Sequence, residues 1–131
     1  MPEETVQFSR IAGPVTVEIT SGFSTAGPYI LACRRDALGA HLVEFGSTPK
    51  FIDDDIADIH LVPVAPEALD QQLVVILGKY RPAFGHTQVK VTYRFQQAAQ
   101  TIHTTEIAET LDAGEAFRRY THSYRFQEVV A

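Results

Sequence analysis

Apolar and polar residues alternate along much of this chain with a period of two, the spacing of a strand that buries one face and wets the other. Val15, Val17 and Ile19 interleave with Thr16, Glu18 and Thr20 between Pro14 and Gly22. Val89, Val91, Tyr93 and Phe95 interleave with Lys90, Thr92, Arg94 and Gln96, and Tyr120, His122, Tyr124 and Phe126 interleave with Thr121, Ser123, Arg125 and Gln127. The last of these presents an aromatic stripe. Two other stretches, Tyr29-Ile30-Leu31-Ala32-Cys33 and Leu73-Val74-Val75-Ile76-Leu77, are apolar at both parities. That pattern predicts buried strands, the first of them covered on both faces.

Punctuation between these runs suggests their connections. Arg34-Arg35-Asp36-Ala37-Leu38-Gly39 reads as a polar turn before His41-Leu42-Val43-Glu44-Phe45, which makes residues 29–45 a hairpin. Arg81-Pro82-Ala83-Phe84-Gly85 is turn-rich and suggests a second, wide-looped hairpin over 72–96. Ile59–Val64 is a short strand in which Pro63 removes a backbone donor and marks an edge or an end. Residues 66–77 carry two signals: Pro66, Glu67 and the spacing of Leu69, Leu73, Ile76 and Tyr80 suit a helix, whereas the β-branched run suits a strand. A helical turn over 66–70 followed by a strand over 72–80 satisfies both. Thr101–Ile107 is a further strand, and Leu111-Asp112-Ala113-Gly114-Glu115-Ala116-Phe117 has the corner pattern that precedes a late Greek-key strand. Tyr93-Arg94-Phe95-Gln96 recurs as Tyr124-Arg125-Phe126-Gln127 without extending further, so it is one amphipathic pattern used twice and not a repeat. The fold class expected is all-β: an antiparallel β-sandwich of about eight strands, Greek-key or immunoglobulin-like.

A chain of 131 residues with 45% hydrophobic and 21% charged side chains suffices for a single globular domain over 1–131, and this composition excludes disordered and collagen-like classes. The formal charge of −5 argues against nucleic acid as a partner. Residues 1–75 hold 11 acids and 4 bases, and residues 76–131 hold 5 acids and 7 bases, an asymmetry that suits self-association or an oriented protein partner. A single cysteine, Cys33, closes no intramolecular disulfide. A free thiol, the lack of a signal-peptide pattern at the start of the sequence and the lack of a spanning window point to a cytoplasmic protein with no membrane span.

Asp53, Asp54, Asp55 and Asp58 are candidate ligands for Ca²⁺, a hard cation that takes several oxygen donors. Their spacing is not that of a helix–loop–helix calcium loop, and the plainer interpretation is a solvated acidic loop that keeps a flanking strand from pairing. No other cofactor is implied. Asp58 and His60 share a strand face, as a metal-binding or acid–base pair would, but the further residues either role needs are not apparent. His41, His86, His103 and His122 show no ligand spacing. Gly22-Phe23-Ser24-Thr25-Ala26 approximates a nucleophile elbow but leads into a strand, where an elbow leads into a helix. Cys33 precedes two arginines that would lower a thiol pKa from the same side, yet a cysteine in an apolar strand is ordinarily a small hydrophobe.

Lys79, Arg81, Lys90 and Arg94 are interleaved with Tyr80, Phe84, Tyr93 and Phe95, as in single-strand nucleic-acid grooves. Tyr93 and Phe95 have the opposite parity to Lys90 and Arg94, however, so the aromatics enter the core and the cations face water. Lys90 and Arg94, with Arg34 and Arg35 at the tip of the 29–45 hairpin, are then candidates for an interaction surface that meets acidic groups of a partner or a second subunit. The leading expectation is a non-enzymatic binding module. The alternatives are a calcium-dependent domain recognising carbohydrate or anionic headgroups through the Asp53–Asp58 loop, and a small enzyme using Asp58 and His60.

Overall fold

Each period-two stretch becomes a strand, and its apolar parity turns inward. The computed structural model describes residues 3–22, 24–33, 43–48, 57–82, 88–112, 114–115 and 117–129, with backbone alone at 21–22, 24–29, 47–48, 57–58 and 80–82. Nine strands occur among the described residues: β1 (Glu3–Phe8), β2 (Val15–Gly22), β3 (Ser24–Cys33), β4 (Val43–Thr48), β5 (Ala57–Leu61), β6 (Leu73–Pro82), β7 (Gln88–Gln97), β8 (Gln100–Thr110) and β9 (Arg118–Glu128). They build a five-stranded sheet in the order β1-β9-β6-β3-β4 and a four-stranded sheet in the order β5-β2-β7-β8. The expected all-β, two-sheet sandwich is thus what the chain forms. Every pairing is antiparallel except β1 with β9, which runs parallel from Glu3↔Ser123 to Phe8↔Glu128. Among the described residues no helix is long and apolar enough to cross a membrane.

The core lies between the sheets. Val15, Val17 and Ile19 from β2 and Val89, Val91, Tyr93 and Phe95 from β7 are almost fully buried, opposite Leu31, Cys33, Val74, Ile76, Tyr124 and Phe126. Phe95 is central: its ring meets Tyr124 edge-on at 4.7 Å and Phe126 at 5.5 Å between centroids, and Phe126 in turn meets Phe8 at 5.9 Å. Edge-to-face pairs of this kind contribute about 1 kcal/mol each beyond the area they bury. The helical signal at 66–70 resolves as a 3-10 turn over Pro66–Ala68, after which Leu69 plugs the core and Gln71 and Gln72 exchange backbone bonds with Phe126.

The hairpin expected over 29–45 forms as β3 paired with β4, its tip at 34–42 lying outside the described residues. The one expected over 72–96 does not form. Both edges of β6 are occupied by β3 and β9, so the chain after Pro82 crosses to the other sheet, where β7 pairs with β2 and β8. β7 and β8 are instead joined by a two-residue turn in which Ala98 and Ala99 hold φ of 53° and 61°. β5 is an edge strand that ends before Pro63, as the missing proline donor implied.

Candidate functional site

Asp53, Asp54 and Asp55 lie outside the described residues, as do Arg34 and Arg35. The register of β5 against β2 sets Asp58 opposite Ile19 and His60 opposite Val17, positions on the inward-facing side of the edge strand. The half-buried His60 imidazole fills the gap between the sheets there. A Cβ at Gly46 of β4 would fall 2.6 Å from His60 Nδ1 and 2.9 Å from Leu31 Cδ1, so glycine at 46 is what admits the ring. This packing gives His60 a structural role. No group of three or more metal-ligating side chains occurs among the described residues. Cys33 is buried and unbridged inside β3, the setting of a small hydrophobe. Ser24 opens β3 directly after β2, a strand-to-strand context.

Lys90 and Arg94 do face outward from β7 while Tyr93 and Phe95 are buried, as their parities require. Both cations are engaged by acids on neighbouring strands: Arg94 lies 3.2 Å from Glu18 on β2, and Lys90 lies 3.9 Å from Glu106 on β8. The outer face of the four-stranded sheet is therefore internally charge-paired over these positions. A half-open depression of about 200 Å³ at its β7–β8 end is lined by Gln88, Val89, Lys90, Glu106, Ala108, Glu109 and Thr110. It is smaller than the usual ligand pocket and contains no histidine or cysteine.

Sequence reasoning missed a polar seam where the sheet edges β1 and β8 meet. Glu4 of β1 accepts hydrogen bonds from the Thr105 hydroxyl, at 3.0 and 3.1 Å to its two carboxylate oxygens, and its Oε1 lies 3.1 Å from His103 Nε2. His122 lies deeper, edge-on to Tyr93 at 5.5 Å and stacked on Tyr124 at 6.4 Å, with no hydrogen-bond partner for Nδ1. Burial pulls the His122 imidazole below its ordinary pKa of 6.5, opposed by the charges of Glu4 and Glu109. Burial likewise raises the Tyr124 phenol, opposed by the nearby Thr105 hydroxyl, although the Tyr124 hydroxyl makes no hydrogen bond of good geometry. At the far end of the seam Glu109 accepts from the Tyr120 hydroxyl and from Arg118 at 2.7 Å. Arg118 also grips Glu115 through two contacts of 2.6 and 2.9 Å. The Tyr120 hydroxyl, and then Arg118, hold the Glu109 carboxyl below the usual range. These groups join the edges of two different sheets, so their chemistry closes the open side of the sandwich. The sequence signal was available in the parity of β8: His103, Thr105 and Glu109 share the face of buried Ile107.

The outer face of the five-stranded sheet is different in kind. Ile30 of β3 and Leu77 of β6 are direct cross-strand partners, 43% and 41% exposed at the centre of the sheet. Ala32 and Val75 form the next pair on the same face. Beyond Leu77, Lys79 and Arg119 are also paired across strands and both approach the exposed Phe117 ring, at 4.0 and 5.5 Å from its centroid. Neither cation has an acidic partner among the described residues. On the opposite margin, Glu44 of β4 is exposed beside Ala32. On this outer face Ala32 and Val75 are buried, at 7% exposed each, so the exposed apolar surface at the centre of the sheet is confined to Ile30 and Leu77. Comparison with known proteins leaves this geometry to speak for itself: no family model, no curated protein and no solved structure matches the chain.

Proposed function

We propose that this chain is a non-enzymatic interaction module that docks a protein partner on the outer face of its five-stranded sheet. One observation carries the reading. β3 has the sequence of a strand covered on both faces and β6 that of a buried strand, yet among the described residues of their outer face only Ala32 and Val75 are buried, while the neighbouring pair Ile30 and Leu77 stays 43% and 41% exposed. Covering what remains exposed of these two side chains contributes about 1 kcal/mol each. Charged groups flank them at Lys79, Arg119 and Glu44, the polar rim that surrounds an apolar interface centre. On the outer face of the other sheet the central charges Glu18, Arg94, Lys90 and Glu106 are already paired, and the exposed Ile59 and Leu61 lie on the edge strand β5 and not at the sheet centre.

Photo-crosslinking in the cells that make the protein tests this. A photoreactive phenylalanine derivative replaces Leu77, and in a control chain it replaces Thr104, which faces outward on β8. The expected result is an adduct of discrete mass from position 77 and none from position 104. The absence of a discrete adduct at 77 overturns the reading.

A further inference from the structure

We infer that the partner seated on this face presents an acidic amphipathic helix, its apolar side chains over Ile30 and Leu77 and its carboxylates over Lys79 and Arg119. The inference rests on the docking role proposed above and adds the chemistry of the partner. Charge carries it. Lys79 and Arg119 stand directly opposite each other on β6 and β9, and like charges so placed destabilise a sheet. Neither has an acidic partner among the described residues. Arg118 engages both Glu109 and Glu115, Arg125 engages Glu3, and Glu44 lies two same-face rows away on the far margin. Two rows along and two strands across make roughly 16 Å, beyond the Debye length of about 8 Å at physiological ionic strength. The exposed Phe117 ring, 4.0 Å from Lys79 Nζ and 5.5 Å from the Arg119 guanidinium, holds the two cations beside Leu77 without cancelling their charge. A chain of net charge −5 thus keeps a concentrated positive patch next to its exposed apolar pair.

The sheet order decides the shape of the acidic segment. β6 is paired on its two edges by β9 and β3, and β3 by β6 and β4, so the centre of this face offers side chains and no free backbone edge. An extended segment laid there would find nothing to pair with, whereas a helix satisfies its backbone internally. Leu77 and Lys79 are successive same-face residues of β6, about 6.7 Å apart, close to the rise of about 6 Å between residues i and i+4 of a helix aligned with the strands. An apolar side chain at i over the Leu77 and Ile30 pair therefore brings carboxylates at i+3 and i+4 to the Lys79 and Arg119 row. In the row on the other side of Leu77, Ala32 and Val75 are already buried in the single chain and offer no further apolar surface. The contact is thus one apolar row and one charged row, and its affinity depends on the charged one.

The photoreactive derivative at position 77 reads this once the charged row is varied. Lys79→Glu turns the like-charged cross-strand pair into an opposite-charged one, so the denaturation midpoint of the purified chain should rise while the adduct yield in cells falls at least about tenfold. Arg119→Glu, the independent reversal on β9, should do the same, and Lys79→Arg should keep the yield. A merely structural role for the cations would instead move midpoint and yield together. Digestion and sequencing of the adduct should find at least two Asp or Glu within about one helical turn of the attachment point. An adduct indifferent to both reversals overturns the inference, as does a fall of midpoint and yield together in both. So does an attached peptide that lacks those acids or comes from a second copy of this chain. The two readings fail separately: an adduct to a protein segment without acids leaves the interaction module standing with a partner of other chemistry. A position 77 that captures nothing, or an adduct released by nuclease, removes both.

Discussion

Gln97 shows how a single buried polar residue can organise a segment that has little core of its own. Its side chain is 4% exposed, yet each polar atom is used. Nε2 donates to the Ser9 carbonyl at 2.6 Å and to the Gly13 carbonyl at 2.7 Å, and Oε1 accepts the Ser9 N–H at 3.0 Å. The amide thus stands in for the sheet partners that the chain between β1 and β2 lacks, and it pins that connection to the end of β7. Buried backbone groups left without partners are costly, about 1 to 3 kcal/mol for each lost bond that water cannot replace. Gln97→Leu keeps the volume and removes all three bonds, so we expect a destabilisation of about 3 kcal/mol in urea unfolding, with the transition midpoint falling and its slope unchanged. Gln97→Glu should fail as well, because it replaces the amide donor with an acceptor facing two carbonyls. If Gln97→Leu is neutral, the 9–13 connection is held by something other than this amide.

The strand elements were legible in proportion to how local their cause is. β2, β7 and β9 follow directly from alternating parity at Val15 to Ile19, Val89 to Phe95 and Tyr120 to Phe126. β1 was not legible, because Val6 and Phe8 are only two apolar positions and its one partner among the described residues, β9, lies at the other end of the sequence. Nor was the β7–β8 hairpin, for a chemical reason. A two-residue turn with both residues at positive φ normally carries Asn-Gly, whereas here it is Ala98-Ala99. The exposed part of the outer face was invisible for a third reason: the run Leu73 to Leu77 announces burial, but nothing in it says that Val75 is covered and Leu77, on the same face, is not. The seam was hidden because Glu4, His103, Thr105 and His122 come together only through sheet order. The alanine turn yields its own test. Each alanine in the left-handed region costs about 1 kcal/mol through its Cβ. Replacing Ala98 with Asn and Ala99 with Gly should raise stability by about 1 to 2 kcal/mol, measurable as a higher denaturation midpoint. A loss of stability would mean that the two methyl groups make contacts worth more than the strain.

At the scale of the whole molecule, the sandwich has a pH dependence built into its polar seam. His122 is packed among Tyr93, Tyr120 and Tyr124, and Nδ1 has no hydrogen-bond partner, so the folded state favours the neutral ring. Two carboxylates act in the opposite sense, Glu4 from β1 and Glu109 from β8, but desolvation is the larger influence and the pKa is lowered from 6.5. The unfolded chain, with an ordinary imidazole, binds the proton first as pH falls. The contribution of His122 to stability is therefore fully present above about pH 6.5 and is lost progressively below it, towards the lower pKa of the folded state. Denaturation midpoints should fall between about pH 7.5 and about pH 5.5, and His122→Phe, which preserves the ring contacts and cannot take up the proton, should flatten that slope. The variant also separates this effect from the neighbouring Glu4–His103 contact, which it leaves in place. A slope as steep in His122→Phe as in the parent would assign the pH dependence to groups other than this ring. A midpoint that rises on acidification in the parent and not in the variant would mean that Glu4 and Glu109 outweigh burial, making the seam a site that gains stability by protonation. Either result bears on the sheet arrangement itself, because Glu4, Glu109 and His122 come from three strands that only this sheet order brings together.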